Sequence, residues 1–364
     1  MIDTPSLVDQ HCHGVLRSEL GLGTFEAQLS PTGAPPAPGT TFFDTQTGFA
    51  VRRWCPPLLG LEPHCAPARY LARRRELGAT ETARRLLRGS GIGVHLVDTG
   101  LAGDLTPPPE LAAMAAAETH EIVRLEPLLR TVADRSGTVG ELLSGLAGAV
   151  HAAAATAVAF AFSAVVRAEL ATMPGPPGPG EVRRAAGHWL AARHPGDTPD
   201  PVLLRHALWT AVGSGRPVQL HLGDADPMPL ADLAAATAGA GGPLILLHGS
   251  PHHRAAARLT GLFPHVYADL GTALATTGAR AAAVLAETLE LAPFGKLLFS
   301  SGARGLPELH VVAARLFREA VGRVLGGWVA DGAWSARDAE RVAGLLAAGN
   351  ARRVYGLTAQ GPPG

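Results

Sequence analysis

Eight times along the 364 residues a short apolar run gives way to a stretch with helical spacing, and this alternation limits the fold more than any other feature. The first run ends at His11, and the others fall at 92–97, 121–125, 157–162, 217–221, 244–248, 266–270 and 297–300. Helical patterning is read at 107–119, 139–151, 181–193, 201–212, 230–238, 253–262, 273–289, 308–324 and 335–348. Strands separated by helices pair in parallel, because a parallel neighbour needs a crossover. Eight such units predict an α/β chain of the (β/α)8 TIM-barrel class. The expected organisation is one barrel over 1–357 and a loose tail at 358–364. Residues 14–90 are read as a largely helical insertion after strand 1, with its own helix at 68–88.

Composition removes several function classes. Acidic and basic residues balance at 31 each, so no net field favours nucleic acid or an anionic membrane. Cys12, Cys55 and Cys65 are an odd number of thiols in a chain long enough to fold without staples, which fits a reducing cytoplasm. The N-terminus lacks a basic segment followed by an apolar core, so no signal peptide is expected. The most apolar window, 152–166, is too short to span a bilayer. The expected partner is a small-molecule substrate, and the sequence leaves assembly into a homo-oligomer open.

The chemistry-bearing residues gather at strand ends. In Val8-Asp9-Gln10-His11-Cys12-His13-Gly14, His11 and His13 are two apart, so on a strand they face one way and can share a divalent ion. On a regular strand Cys12 points opposite to its histidine neighbours and is not counted as a ligand. His221 and His248 end the fifth and sixth runs. The strands of a barrel open their C-terminal ends on one face, so these four residues are candidates for one metal or catalytic cluster. A histidine satisfied by local hydrogen bonds is the plainer reading of any one of them.

Ordered segments along the chain carry a resemblance. They include Val97-Asp98-Thr99-Gly100, Ile122-Val123-Arg124-Leu125-Glu126-Pro127, Val218-Gln219-Leu220-His221-Leu222-Gly223-Asp224, Leu246-Leu247-His248-Gly249-Ser250 and Leu306-Pro307-Glu308-Leu309. With the first histidine pair, they resemble the amidohydrolase-related metal-dependent hydrolases, most closely the FluG/nodulin-like branch. The resemblance implies a (β/α)8 barrel with one or two divalent metals at the strand ends. It also implies hydrolysis of a carbon–nitrogen or related ester bond by activated water. Two positions depart from the pattern. Ser301-Gly302-Ala303 stands where such proteins carry Ser-Asp-Ala, and Ala161 stands where relatives often carry Lys, although Arg167 is kept.

The resulting assignment is His11, His13, His221 and His248 for one divalent metal, zinc by preference, and no second ion is assigned. His248, with His221, is the candidate catalytic group, an imidazole base titrating near neutrality in place of the missing carboxylate. Arg124, Glu126 and Arg167 are the candidate substrate contacts, although Arg124 and Glu126 could equally be a charged pair filling a barrel layer. Asp224 and Asp226 are read as helix caps, and Glu308 as a helix opener favoured by the dipole. The alternatives are a catalytically impaired barrel that binds a small molecule, or a decarboxylase or isomerase of the same superfamily.

Overall fold

The structure, a computed structural model of the chain, describes residues 2–30, 33–163, 173–194 and 197–358. Its eight strands are β1 (Leu7–Cys12), β2 (Ile92–Asp98), β3 (Glu118–Arg124), β4 (Ala159–Phe162), β5 (Val218–His221), β6 (Leu244–Leu247), β7 (Val266–Asp269) and β8 (Leu297–Leu298). They form one sheet in chain order, β1 through β8, with helix between successive strands. β1 also bonds to the segment that follows β8. Gln10 N donates to Phe299 O at 3.0 Å, and Gly302 N donates to His11 O at 3.0 Å. These bonds bring the end of the sheet back to its first strand, and the topology is that of a nearly closed (β/α)8 barrel.

Contact density divides the chain into two units. The first comprises Met1–His120 and Asp269–Arg352. In it β1 and β2 are parallel, with Leu7 opposite Ile92, Val8 opposite Val94, Asp9 opposite His95 and Cys12 opposite Val97. Three residues on β1 thus span two on β2 between the last two pairs, which is a bulge. Cys12 packs in a buried apolar cluster with Val15, Leu87, Val97 and Leu111. Gly14 is where the chain leaves β1, and a Cβ there would lie 2.1 Å from Thr106 O, so no larger residue fits.

The second unit comprises Glu121–Ala268 and Arg353–Gly364. Its β3–β4–β5–β6 ladder pairs Ile122 with Ala159, Phe160 with Val218 and Val218 with Leu244. β4 and β6 are apolar without alternation, as expected of parallel strands covered on both faces, whereas β3 is mostly polar and only half-buried.

All eight expected strands form, although β3 begins at Glu118 and β8 ends at Leu298. Several expected helices are shortened or broken, among them 273–289, which is Gly271–Thr277 followed by Ala281–Leu289. The expected helix at 68–88 is two helices, Pro67–Leu77 and Ala79–Ser90, parted at Gly78 with φ 79°. Only glycine takes that left-handed conformation freely, so the apolar pattern runs through a break that it does not register. The expected helix at 107–119 covers only Pro108–Ala115. Ala116 turns left-handed at φ 53° and releases the chain into β3. The tail expected at 358–364 lies, apart from Thr358, outside the described residues.

Candidate metal centre

β1 delivers His11 and His13 where its pattern places them. Both are buried, and their rings meet edge to face with centroids 5.1 Å apart. β2 adds a residue to which the sequence reading gave no role. Asp98 ends that strand, and one ligand atom each from His11, His13 and Asp98 all lie within 4.8 Å of one another. The His13 Nδ1 lies 3.0 Å from the Asp98 carbonyl oxygen. Donation of Nδ1–H to that oxygen puts the ring's lone pair on Nε2, the usual support of a metal-binding imidazole. Asp98 Oδ1 accepts the N–H of Gly100 at 2.8 Å, which fixes the carboxylate. Two imidazoles and a carboxylate from adjacent strand ends are a donor set that suits a divalent ion.

The strand-end rule used for the histidines would have found Asp98 had it been applied to carboxylates. Its signal was faint because Asp before Thr-Gly also reads as an ordinary turn.

The segment after β8 is tied to β1 by backbone and by serine. Ser301 N and Oγ donate to the two Asp9 carboxylate oxygens at 2.7 and 2.5 Å. Ser300 Oγ donates to Asp269 Oδ1 at 2.8 Å. Both serines therefore have structural partners. Gly302 adopts φ 58° beside His11 and offers only its backbone N–H.

In the second unit His221 ends β5 and His248 follows β6, both half-buried, with ring centroids 5.1 Å apart. His248 holds φ 59°, a left-handed conformation that costs a non-glycine residue about 1–2 kcal/mol. Such strain collects at functional positions. Arg124 ends β3 opposite Ala161 of β4, and Ala161 is fully buried.

Glu126 departs from expectation. It is not on the third strand but in the first turn of the helix Leu125–Asp134, where the chain passes from strand to helix without a spacer. Its Oε1 accepts the N–H of Ser163 at 2.5 Å, so it bonds the end of β4. Arg167 lies outside the described residues. Asp226 Oδ1 accepts the Met228 N–H at 3.0 Å, a turn bond just before the short helix Met228–Leu230, whose N-cap is Pro227 and has no side-chain cap bond.

Electrostatics separate a second group from these residues. Burial works to raise the Asp9 pKa, but the nearby His310 and His95 outweigh it and hold the carboxyl well below the ordinary carboxylate range. Burial pushes His310 down and pushes the Cys12 thiol well up, the latter reinforced by Asp9.

Strand-end imidazoles and a carboxylate on a (β/α)8 scaffold form a group that could hold a divalent ion. The amidohydrolase family profile matches residues 131–357, more than half the chain, and the chain belongs to that family. A stretch of 158 residues, 40% of the chain, is 34% identical to Protein fluG of Emericella nidulans, and it spans only 18% of that protein's length. A solved structure assigned to a metal-dependent hydrolase of Lactobacillus casei superposes with a TM-score of 0.79, at 20% identity, over 96% of this chain and 95% of that one. A uronate isomerase of Bacillus halodurans gives a TM-score of 0.62 at 12% identity over 98% of this chain and 94% of that one. At those identities the structural likeness speaks to the fold. Among the described residues no helix is long and apolar enough to cross a membrane.

Proposed function

We propose that the protein is a metal-dependent hydrolase that cleaves an amide, cyclic amide or related ester with water. The grouping of His11, His13 and Asp98 at the ends of β1 and β2, with ligand atoms within 4.8 Å, carries this reading. His11 and His13 serve as ligands, and Asp98 supplies the carboxylate that position 302 lacks. A divalent ion, zinc by preference, contributes Lewis acidity toward water and a carbonyl oxygen when bound. His221 is assigned as a further ligand and His248 as ligand or base, because they end β5 and β6 and barrel strand ends open on one face. As base, His248 takes the proton of the attacking water and returns it to the leaving group, a task suited to an imidazole near neutral pH. Arg124 and Arg167 orient the polar end of the substrate. Glu126 acts less directly, by holding the backbone after β4.

The test is turnover of N-acyl amino acids, cyclic amides and lactones by protein loaded with zinc or manganese. His13→Ala is expected to lower kcat/KM by more than about 100-fold, beyond what loss of a supporting partner costs. Turnover unaffected by His13→Ala would sink the assignment. A metal-loaded protein inert across the whole panel would leave a barrel that binds a small molecule without converting it.

A further inference from the structure

Four buried side chains of the first unit converge on a point that the proposed hydrolase chemistry does not use. Asp9 and Cys12 come from β1, His95 from β2 and His310 from the helix Pro307–Ala330. All four are 0% exposed. One ligand atom from each lies within 4.8 Å of the other three. The nearest pairs are His310 Nδ1 to Asp9 Oδ2 at 3.5 Å, His95 Nδ1 to Asp9 Oδ2 at 3.8 Å, and Cys12 Sγ to His95 Nδ1 at 3.9 Å.

These separations are long for hydrogen bonds, whose N···O distances cluster at about 2.7–3.2 Å. They match the edges of a tetrahedron instead. With metal–ligand bonds of about 2.0–2.3 Å, the ligand atoms of a zinc site stand roughly 3.3–3.8 Å apart.

The hydrogen-bond inventory points the same way. The Nδ1 atoms of His95 and His310 are the ones that face Asp9 and Cys12 and that an ion would engage, whereas their buried Nε2 atoms, which have no hydrogen-bond partner, lie on the other side of each ring. At Nδ1 the contacts are the long ones above, with Ser301 Oγ also 3.5 Å from His310. Two wholly buried imidazoles thus make no hydrogen bond of ordinary length. A core without an ion does not repay that cost, and unsatisfied groups of this kind ask for an unseen partner. The bulge explains how the group assembles, since the extra residue between Asp9 and Cys12 lets positions of opposite strand parity reach one place.

We propose that Asp9, Cys12, His95 and His310 bind a divalent ion of the zinc type in a closed structural site, separate from the His11/His13/Asp98 group. The charges fit, since one thiolate and one carboxylate neutralise a dication and the two imidazoles stay neutral. A bound ion ionises the thiol outright, which settles Cys12 as an anion in spite of its burial. Four protein ligands leave no open position, so the site holds structure and does no chemistry. It joins β1, β2 and the helix after β8. With no exposed ligand, it fills during folding.

Cobalt(II) introduced during expression tests this, because thiolate-to-cobalt charge transfer absorbs in the near ultraviolet. None of the ligands proposed for the catalytic metal is a cysteine, so the band reports this site alone. It is expected in the wild type and in the His11→Ala/His13→Ala variant, with about one equivalent of cobalt retained in the latter. It is expected to vanish in Cys12→Ser. A wild-type protein loaded with cobalt but lacking the band overturns the proposal, as does a band that persists in Cys12→Ser. Should Cys12→Ser fail to fold, the Cys55→Ser/Cys65→Ser variant leaves Cys12 as the only thiol and must keep the band. Turnover does not enter this readout, so failure of the hydrolase reading and failure of this one are told apart.

Discussion

His11 and His13 face one way because a strand repeats every two residues, and Asp98 joins them because β2 runs parallel beside β1. The histidine pair could be read without coordinates, since it depends only on spacing along one strand. Asp98 depends on which strand lies next to which. Gly302 is the instructive vacancy. At φ 58° it sits where aspartate is tolerated better than branched residues are. Gly302→Asp is therefore expected to fold with a loss of no more than about 1 kcal/mol, whereas Gly302→Val loses about 1–2 kcal/mol, by urea unfolding. The added carboxylate beside His11 should also slow metal loss to a chelator. Faster loss than in the wild type would mean that position 302 does not address the metal.

At the scale of elements, Glu308 shows what a helix-start argument can and cannot supply. It was placed by its charge at the start of a helix, and it does occupy the first turn of Pro307–Ala330. Its partners come from another part of the chain. Arg74 Nε lies 2.7 Å from Glu308 Oε1, and Tyr70 OH donates to the same oxygen at 2.8 Å. The Arg74 and Glu308 side chains are 6% and 0% exposed, so this pair joins the helix Pro67–Leu77 to Pro307–Ala330 with little solvent screening. Arg74→Met leaves a buried carboxylate without its cation and is expected to cost about 3–5 kcal/mol in urea unfolding. Arg74→Met/Glu308→Leu should recover much of that loss. A single variant within about 0.5 kcal/mol of wild type would show the pair to be incidental.

For the whole molecule, the resolved acid-range shifts have one sign. Asp9, Glu81, Asp338, His206 and His310 all have folded pKa values below their ordinary ones. Interactions with His310 and His95 overcome burial at Asp9, hydrogen bonds from Arg85 and Ser335 lower Glu81 and Asp338, and burial lowers the two histidines. The unfolded chain then binds more protons than the folded one, so stability rises with pH. The histidine part is present above about 6.5 and lost as pH falls through that value; the carboxylate part is lost below about 4. Glu81 is half-buried and Asp338 exposed, both in solvent-facing ion pairs that add little, so Asp9, His310 and the half-buried His206 set the slope. A metal on Asp9 and His310 acts with the same sign, since ligands bind deprotonated. The urea midpoint should therefore drop from pH 7 to pH 5 and again to pH 4. A midpoint that is flat or rises on acidification contradicts this balance.

The sequence by itself determined the eightfold alternation, and with it the barrel, as well as the like-facing pair His11 and His13 and the strand-end positions of His221 and His248. Each follows from a period along one segment, and such periods survive without knowledge of neighbours. Tertiary structure alone decided the rest. It brought Asp98 to the pair, moved Glu126 from a strand into a helix, broke the 68–88 helix at Gly78, and used a bulge to set Asp9 and Cys12 against His95 and His310. The physical reason is common to all four. They depend on how one segment meets another, through register, a left-handed residue or an extra residue in a ladder, and side-chain spacing carries no record of these.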